Sequence, residues 1–120
     1  MKVLFIHPNE KLTQIYKPYL INHFQIDSAH DGLVGLRKLK SSRPNVVISD
    51  FQLPYVSGLS LLKFMRASPD LVRTPFIFLA NYNDPSAALS FGANDWLDTR
   101  TSTPDMLIEK IYQHLKTYAL

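Results

Sequence analysis

Short apolar runs without alternation occupy residues 3–6, 46–48 and 76–79. Strands buried on both faces of a parallel sheet read this way, because neither face can carry polar side chains. Two weaker runs, at 24–28 and 95–98, have the character of outer strands. Between the runs the period changes to that of a helix. Leu12, Ile15, Tyr16, Tyr19 and Leu20 predict one apolar stripe on a helix capped by Asn9, with Pro18 pointing away from it and kinking it. Asp31 is placed to cap a helix carrying Leu33, Leu36 and Leu39, and Ser57 to cap one carrying Leu61, Phe64 and Met65. Asp84 before Pro85 predicts the start of a short helix running through Leu89, with Gly92 as a left-handed C-terminal cap. Thr103 before Pro104 opens the last helix, whose stripe is Ile108, Ile111, Tyr112, Leu115 and Tyr118.

Five strands alternating with five helices imply an α/β fold in which right-handed crossovers cover both faces of a parallel sheet. In open sheets of this kind functional groups gather beyond the strand C-termini. That rule selects His7, Asp50, Ala80 or Asn81, and Asp98 or Thr99.

Composition narrows the reading mainly by exclusion. A chain of 120 residues holds one domain, and no stretch suggests a repeat, a linker or disorder. The absence of cysteine rules out disulfides, thiolate metal sites and cysteine nucleophiles. The apolar run before His7 and Pro8 is too short for a signal-peptide core or a membrane span, so a cytoplasmic protein with no membrane association is expected. The net charge of +3 arises in the first sixty residues, where seven Lys or Arg face four acids. Those cations are spread over two predicted helices rather than set in a stripe with aromatics, so direct nucleic-acid binding is not expected.

The segment VVISDFQLPYVSGLSLLKFMR resembles the centre of a response-regulator receiver domain: an apolar strand, a terminal Asp50, Pro54 four residues on and Gly58 eight on. VLFI, AHDGLVGLRKL, TPFIFLAN and FGANDWLDT extend the resemblance in register over the whole chain. It implies one receiver-like domain over residues 1–120, of flavodoxin-like (βα)5 three-layer architecture, with strand order 2-1-3-4-5.

The resemblance also implies a chemistry. In receiver domains the aspartate ending the third strand accepts a phosphoryl group, Mg²⁺ neutralises the developing charge, and an acidic pair ending strand one supplies oxygen ligands. A hydroxyl ending strand four and a lysine ending strand five bind the remaining oxygens. Here the acceptor position is Asp50, but the acidic pair aligns with His7 and Pro8, the hydroxyl with Ala80 and the lysine with Thr99. Arg100 stands where the family has a proline after a cis bond, so a cis bond there is not expected. Asn9 is better explained as a helix cap than as a replacement ligand, and Asn81, at a position that is small in the family, either offers an amide to an anion or fills the opening.

Two readings of His7 stay open. It either hydrogen-bonds Asp50 or backbone in the space of the cation, or forms a His–Asp transition-metal site, which two ligands are too few to make. Should the carboxylate stabilise an imidazolium, the His7 pKa would be raised, with burial opposing. Trp96 aligns with the switch aromatic of the family. Because Ala80 cannot draw it inward, Trp96 is expected to be a fixed contact in the core or at a partner surface.

The expectation is therefore a degenerate receiver, not an enzyme, holding no cofactor or metal and acting through protein contacts. Its expected partners are a sensor kinase or an output domain, with a second copy of the chain as an alternative. The competing reading is a functional phosphorelay receiver using Asp50, and only that reading calls for Mg²⁺. A flavodoxin-like redox domain is set aside, since HPNEK lacks a phosphate-binding loop.

Overall fold

A computed structural model describes residues 1–81 and 84–119, with side chains of the last helix described as far as Lys116. The elements alternate throughout: β1 (Lys2–Ile6), α1 (Glu10–Leu20), β2 (Gln25–Ala29), α2 (Gly32–Ser42), β3 (Val46–Ser49), α3 (Gly58–Ala67), β4 (Phe76–Ala80), α4 (Ser86–Ser90), β5 (Asp95–Asp98) and α5 (Pro104–Ala119). All five strands are parallel, in the order β2-β1-β3-β4-β5. The flavodoxin-like (βα)5 fold expected from the sequence is thus the observed one.

Successive side chains of a strand leave opposite faces, so each central strand feeds two cores. Val3, Phe5, Val46, Ile48, Ile77 and Leu79 pack under α1 and α5, against Tyr16, Leu20, Leu107, Ile108 and Ile111. Leu4, Ile6, Val47, Phe76 and Phe78 face the other way, against Leu39, Leu61, Leu62, Met65 and Ala88. This two-sided burial is why the central strands lack polar alternation.

Helix starts follow their caps closely. Asn9, Asp31 and Ser57 accept bonds from the amides of Leu12, Val34 and Ser60, and Thr103 accepts one from Met106. The fourth helix departs from expectation. Asp84 accepts from the amide and hydroxyl of Ser86, so α4 begins at Ser86, one residue beyond Pro85. Gly92 is left-handed, φ +104°, as its capping position predicts. The second strand is shifted by one residue, because the Phe24 amide bonds Leu20 at the end of α1 and pairing with β1 begins at Gln25.

Two predicted stripes are rotated. On α1 Ile15 and Tyr19 are exposed, and the buried line runs through Thr13, Tyr16 and Leu20. Thr13 is small, and its hydroxyl turns back to the Asn9 carbonyl, so that line can approach the sheet most closely. Pro18 lies on the solvent side, as expected. On α2 Leu33 is exposed while Gly32, Gly35 and Leu39 face inward. A Cβ on Gly32 would lie 1.7 Å from the Val56 carbonyl oxygen, so the helix start rests directly on the loop after β3. Tyr112 of the α5 stripe is partly exposed, lying against His23 and Phe24 at the edge of the core, and the side chain of Tyr118 lies outside the described residues.

Candidate functional site

The C-terminal ends of β1, β3, β4 and β5 surround a cavity of about 120 Å³ lined by His7, Asn9, Leu12, Asp50, Ala80, Asn81 and Thr99. The rule for open sheets thus brings together the positions selected from sequence, including His7, Asp50, Ala80 and Thr99. Pro8 is exposed and does not line the cavity.

Asp50 follows β3 directly, and its amide donates to the Ile6 carbonyl of β1. Its Oδ1 accepts from the Phe51 amide at 2.7 Å, leaving Oδ2 turned to His7. The backbone behind it is tightly covered. A Cβ on Gly58 would lie 2.2 Å from the Asp50 carbonyl oxygen, which is why the first residue of α3 has no side chain.

His7 is buried, with 4% of its surface exposed. Its Nδ1 accepts from the Asn9 amide at 3.2 Å. An acceptor at Nδ1 places the proton on Nε2, which donates to the Leu79 carbonyl at 3.1 Å. The ring is therefore satisfied as a neutral imidazole, and Asp50 Oδ2 stands 3.6 Å from Nε2, beyond a good hydrogen bond. Burial lowers the His7 pKa, and the nearby carboxylate and the Leu79 carbonyl offset this only in part. Burial likewise raises the Asp50 pKa against the opposing pull of His7 and the backbone amides of Phe51 and Gln52. The raised His7 pKa that an imidazolium–carboxylate pair would give is thus not what the geometry produces. Desolvation outweighs a charge contact this long, and an Nδ1–H would oppose the Asn9 amide.

The neighbours of the pocket are engaged elsewhere. Asn9 caps α1, and Glu10 pairs with His30 at 3.2 Å on the surface. Asn81 and Thr99 border the cavity with an amide and a hydroxyl, and the Thr99 amide bonds the Ala80 carbonyl. Arg100 turns outward in a bidentate pair with Asp98, which holds that carboxyl at about 2. No described peptide bond is cis, the one before Arg100 included.

The donor set does not suit Mg²⁺. A hard cation takes several oxygen ligands with charge to match its own, whereas the cavity is bordered by a single carboxylate, one hydroxyl residue and two asparagines, of which Asn9 already caps α1. The imidazole presents an N–H committed to Leu79. Among the described residues no group of three or more His, Cys, Asp or Glu side chains is placed to hold a metal ion.

Trp96 on β5 is half-buried against Phe51 and Phe78, with ring centroids 5.7 and 5.1 Å away. Sequence reasoning singled out Trp96 but missed Phe51, which carries the contact to the amide bonding Asp50. An aromatic directly after a strand-end aspartate was the available signal. It also missed Arg66, whose guanidinium bonds the carbonyls of Thr74 and Gly92 at 2.9 and 3.0 Å and the Asn94 side chain, tying α3 to the loops that enter β4 and β5.

A sheet of this order with an aspartate at the end of β3 defines a class, and comparison with known proteins gives the family. The family model for the response regulator receiver domain matches residues 3–112, and the chain belongs to that family, the receiver domains of two-component signalling. It is 30% identical to the transcriptional regulatory protein TrcR of Mycobacterium tuberculosis over 89% of this chain and 42% of that protein. It is 32% identical to the probable chemotaxis protein CheY of Rhizobium etli, over 77% of this chain and 75% of the relative. The receiver domain of Francisella response regulator 1452 superposes with a TM-score of 0.84 at 28% identity, over 98% of each chain. The chain spans half or less of the length of the transcriptional regulators it matches. No described helix is long and apolar enough to cross a membrane.

Proposed function

We propose that residues 1–120 form one receiver domain that works as a protein–protein interaction module in signal transduction, with Mg²⁺-dependent phosphorylation of Asp50 impaired. The observation that carries this reading is the state of His7. A neutral imidazole, bonded on both nitrogens, occupies the place from which carboxylates would have to face Asp50. Phosphoryl transfer to a carboxylate needs charge neutralisation at the phosphoryl oxygens. Ala80 and Thr99 supply no cation, and Arg100 is turned to Asp98. The module is not an enzyme on this reading, needs no cofactor, and acts in the cytoplasm on a sensor kinase or an output domain. A second copy of the chain is the alternative partner. Trp96, held by Phe51 and Phe78, serves as a fixed contact rather than a rotating switch.

The test is incubation with Mg²⁺ and a small phosphodonor, read by intact-protein mass spectrometry, with Trp96 fluorescence followed through a Mg²⁺ titration. No added phosphoryl mass and no saturable Mg²⁺ response are expected. A phosphoryl group mapped to Asp50, or a Mg²⁺ response abolished by Asp50→Asn, would establish the functional phosphorelay receiver instead.

A further inference from the structure

The end of the sheet opposite Asp50 carries a groove that the receiver chemistry does not use. Residues 43–45, before β3, and 69–75, before β4, wall two hollows of about 540 and 280 Å³. The hollows share Arg43, Pro69, Asp70 and Leu71, and so run into one another. Three cations, Lys40, Arg43 and Arg73, border the groove against a single acid, Asp70, which pairs with Arg43 at 3.2 Å in an exposed bridge. Between the charges lie Phe64, half-buried beneath Lys40, and Val72, 44% exposed.

The groove is held in shape from behind. Arg66 donates to the carbonyls of Val72 and Thr74 at 3.2 and 2.9 Å, so the exposed wall is tied to α3. Pro44, Pro69 and Pro75 fix the backbone φ along the walls. Such preorganisation lowers the ordering cost of binding. Arg43 itself sits at φ +45°, in the left-handed region that is unfavourable for L-residues and that glycine adopts freely at a helix end. An arginine at this position bears that cost while presenting its guanidinium at the rim.

We propose that this groove docks an acidic segment of a partner protein, its carboxylates on Lys40, Arg43 and Arg73 and its apolar side chains between Phe64 and Val72. The excess of positive charge selects acidic partners, and apolar floor between the cations favours a polypeptide over a phosphate backbone, which would leave that floor uncovered. The proposal deepens the interaction-module reading by naming the partner's chemistry, yet does not depend on the state of Asp50.

The probe is a blocked eight-residue peptide of alternating Glu and Leu, titrated into the ¹⁵N-labelled chain and followed by amide shifts. Saturable shifts clustered at Asn45 and at residues 71–74 are expected, weakening as salt is raised. Lys40→Glu/Arg73→Glu is expected to weaken the peptide by about tenfold or more while thermal melting stays unchanged. The proposal is overturned by shifts elsewhere, by no binding, or by equal binding of a Ser–Leu peptide. It is also overturned if the charge-reversed variant binds the peptide unchanged, or if duplex DNA, anionic vesicles or self-association of the chain covers these residues in preference to the peptide. Phosphorylation of Asp50 would defeat the reading of the pocket and leave this one standing, whereas a silent groove beside an unmodified Asp50 does the reverse.

Discussion

His7→Gln tests the reading of the pocket most directly, because neutral and charged imidazole give opposite pH dependences. In the folded protein both ring nitrogens are bonded, to the Asn9 amide and the Leu79 carbonyl, and the ring is buried. A net contribution of about 1 kcal/mol for each bond, partly kept by the glutamine amide, together with lost ring packing, gives a cost of about 1–3 kcal/mol near pH 8. Burial lowers the folded-state pKa below the unfolded value of about 6.5. The unfolded chain therefore binds the proton first. The contribution of His7 is fully present above the unfolded pKa and is lost as pH falls through the folded one. The penalty of His7→Gln should accordingly be smaller near pH 5.5 than near pH 8. Asp50 is the charge that holds the His7 pKa up against burial, so in an Asp50→Asn background the fall should steepen. Urea melts of the wild type, both single variants and the double variant at the two pH values give the coupling, and the other three histidines cancel in the differences. A penalty that grows on acidification would show that an imidazolium–carboxylate pair, not a neutral ring, occupies the pocket.

Two further outcomes follow from packing. Gly32→Ala should cost more than about 3 kcal/mol or abolish folding, since its Cβ would meet the Val56 carbonyl, whereas Gly35→Ala meets side-chain carbons of Ile6 alone, Cδ1 at 2.9 Å and Cγ2 at 3.2 Å, and, with overpacking partly offset by the helix-propensity gain, should cost no more than about 2 kcal/mol; chemical denaturation of both measures the contrast. Arg66→Lys should be destabilised by about 2–3 kcal/mol, because one ammonium cannot reach the Thr74, Gly92 and Asn94 oxygens that the guanidinium fork bonds together; a thermal melt equal to wild type would show that the clamp contributes nothing.

The candidate pocket was legible in the sequence to an unusual degree, for a definite reason. Each strand ends within a residue of the run that predicts it, and parallel order brings all those ends to one edge. His7, Asp50, Ala80 and Thr99 could thus be grouped before any distance was known. The protonation of His7 could not. It depends on the Asn9 amide, two residues away, and the Leu79 carbonyl, seventy-two residues away, both meeting the ring from fixed directions. Charge alone suggested a His–Asp pair, and hydrogen-bond geometry with burial decided otherwise.

The same division runs through the fold. By itself the sequence determined the alternation of strands and helices, the two-sided burial of β1, β3 and β4, and most helix starts, because run length, period and capping residues act within a few neighbours along the chain. Only the tertiary structure decided which line of α1 and α2 faces inward. There the small residues Thr13, Gly32 and Gly35 displaced Ile15, Tyr19 and Leu33 from the core, since approach of a helix to a sheet is limited by the bulk on both surfaces at once. The tertiary structure likewise placed Arg66 behind the groove wall and Phe51 against Trp96. Phe51 and Trp96 are distant in the chain, and although Arg66 reaches only six to eight residues on, its carbonyl partners are set by how the loop before β4 folds back on α3.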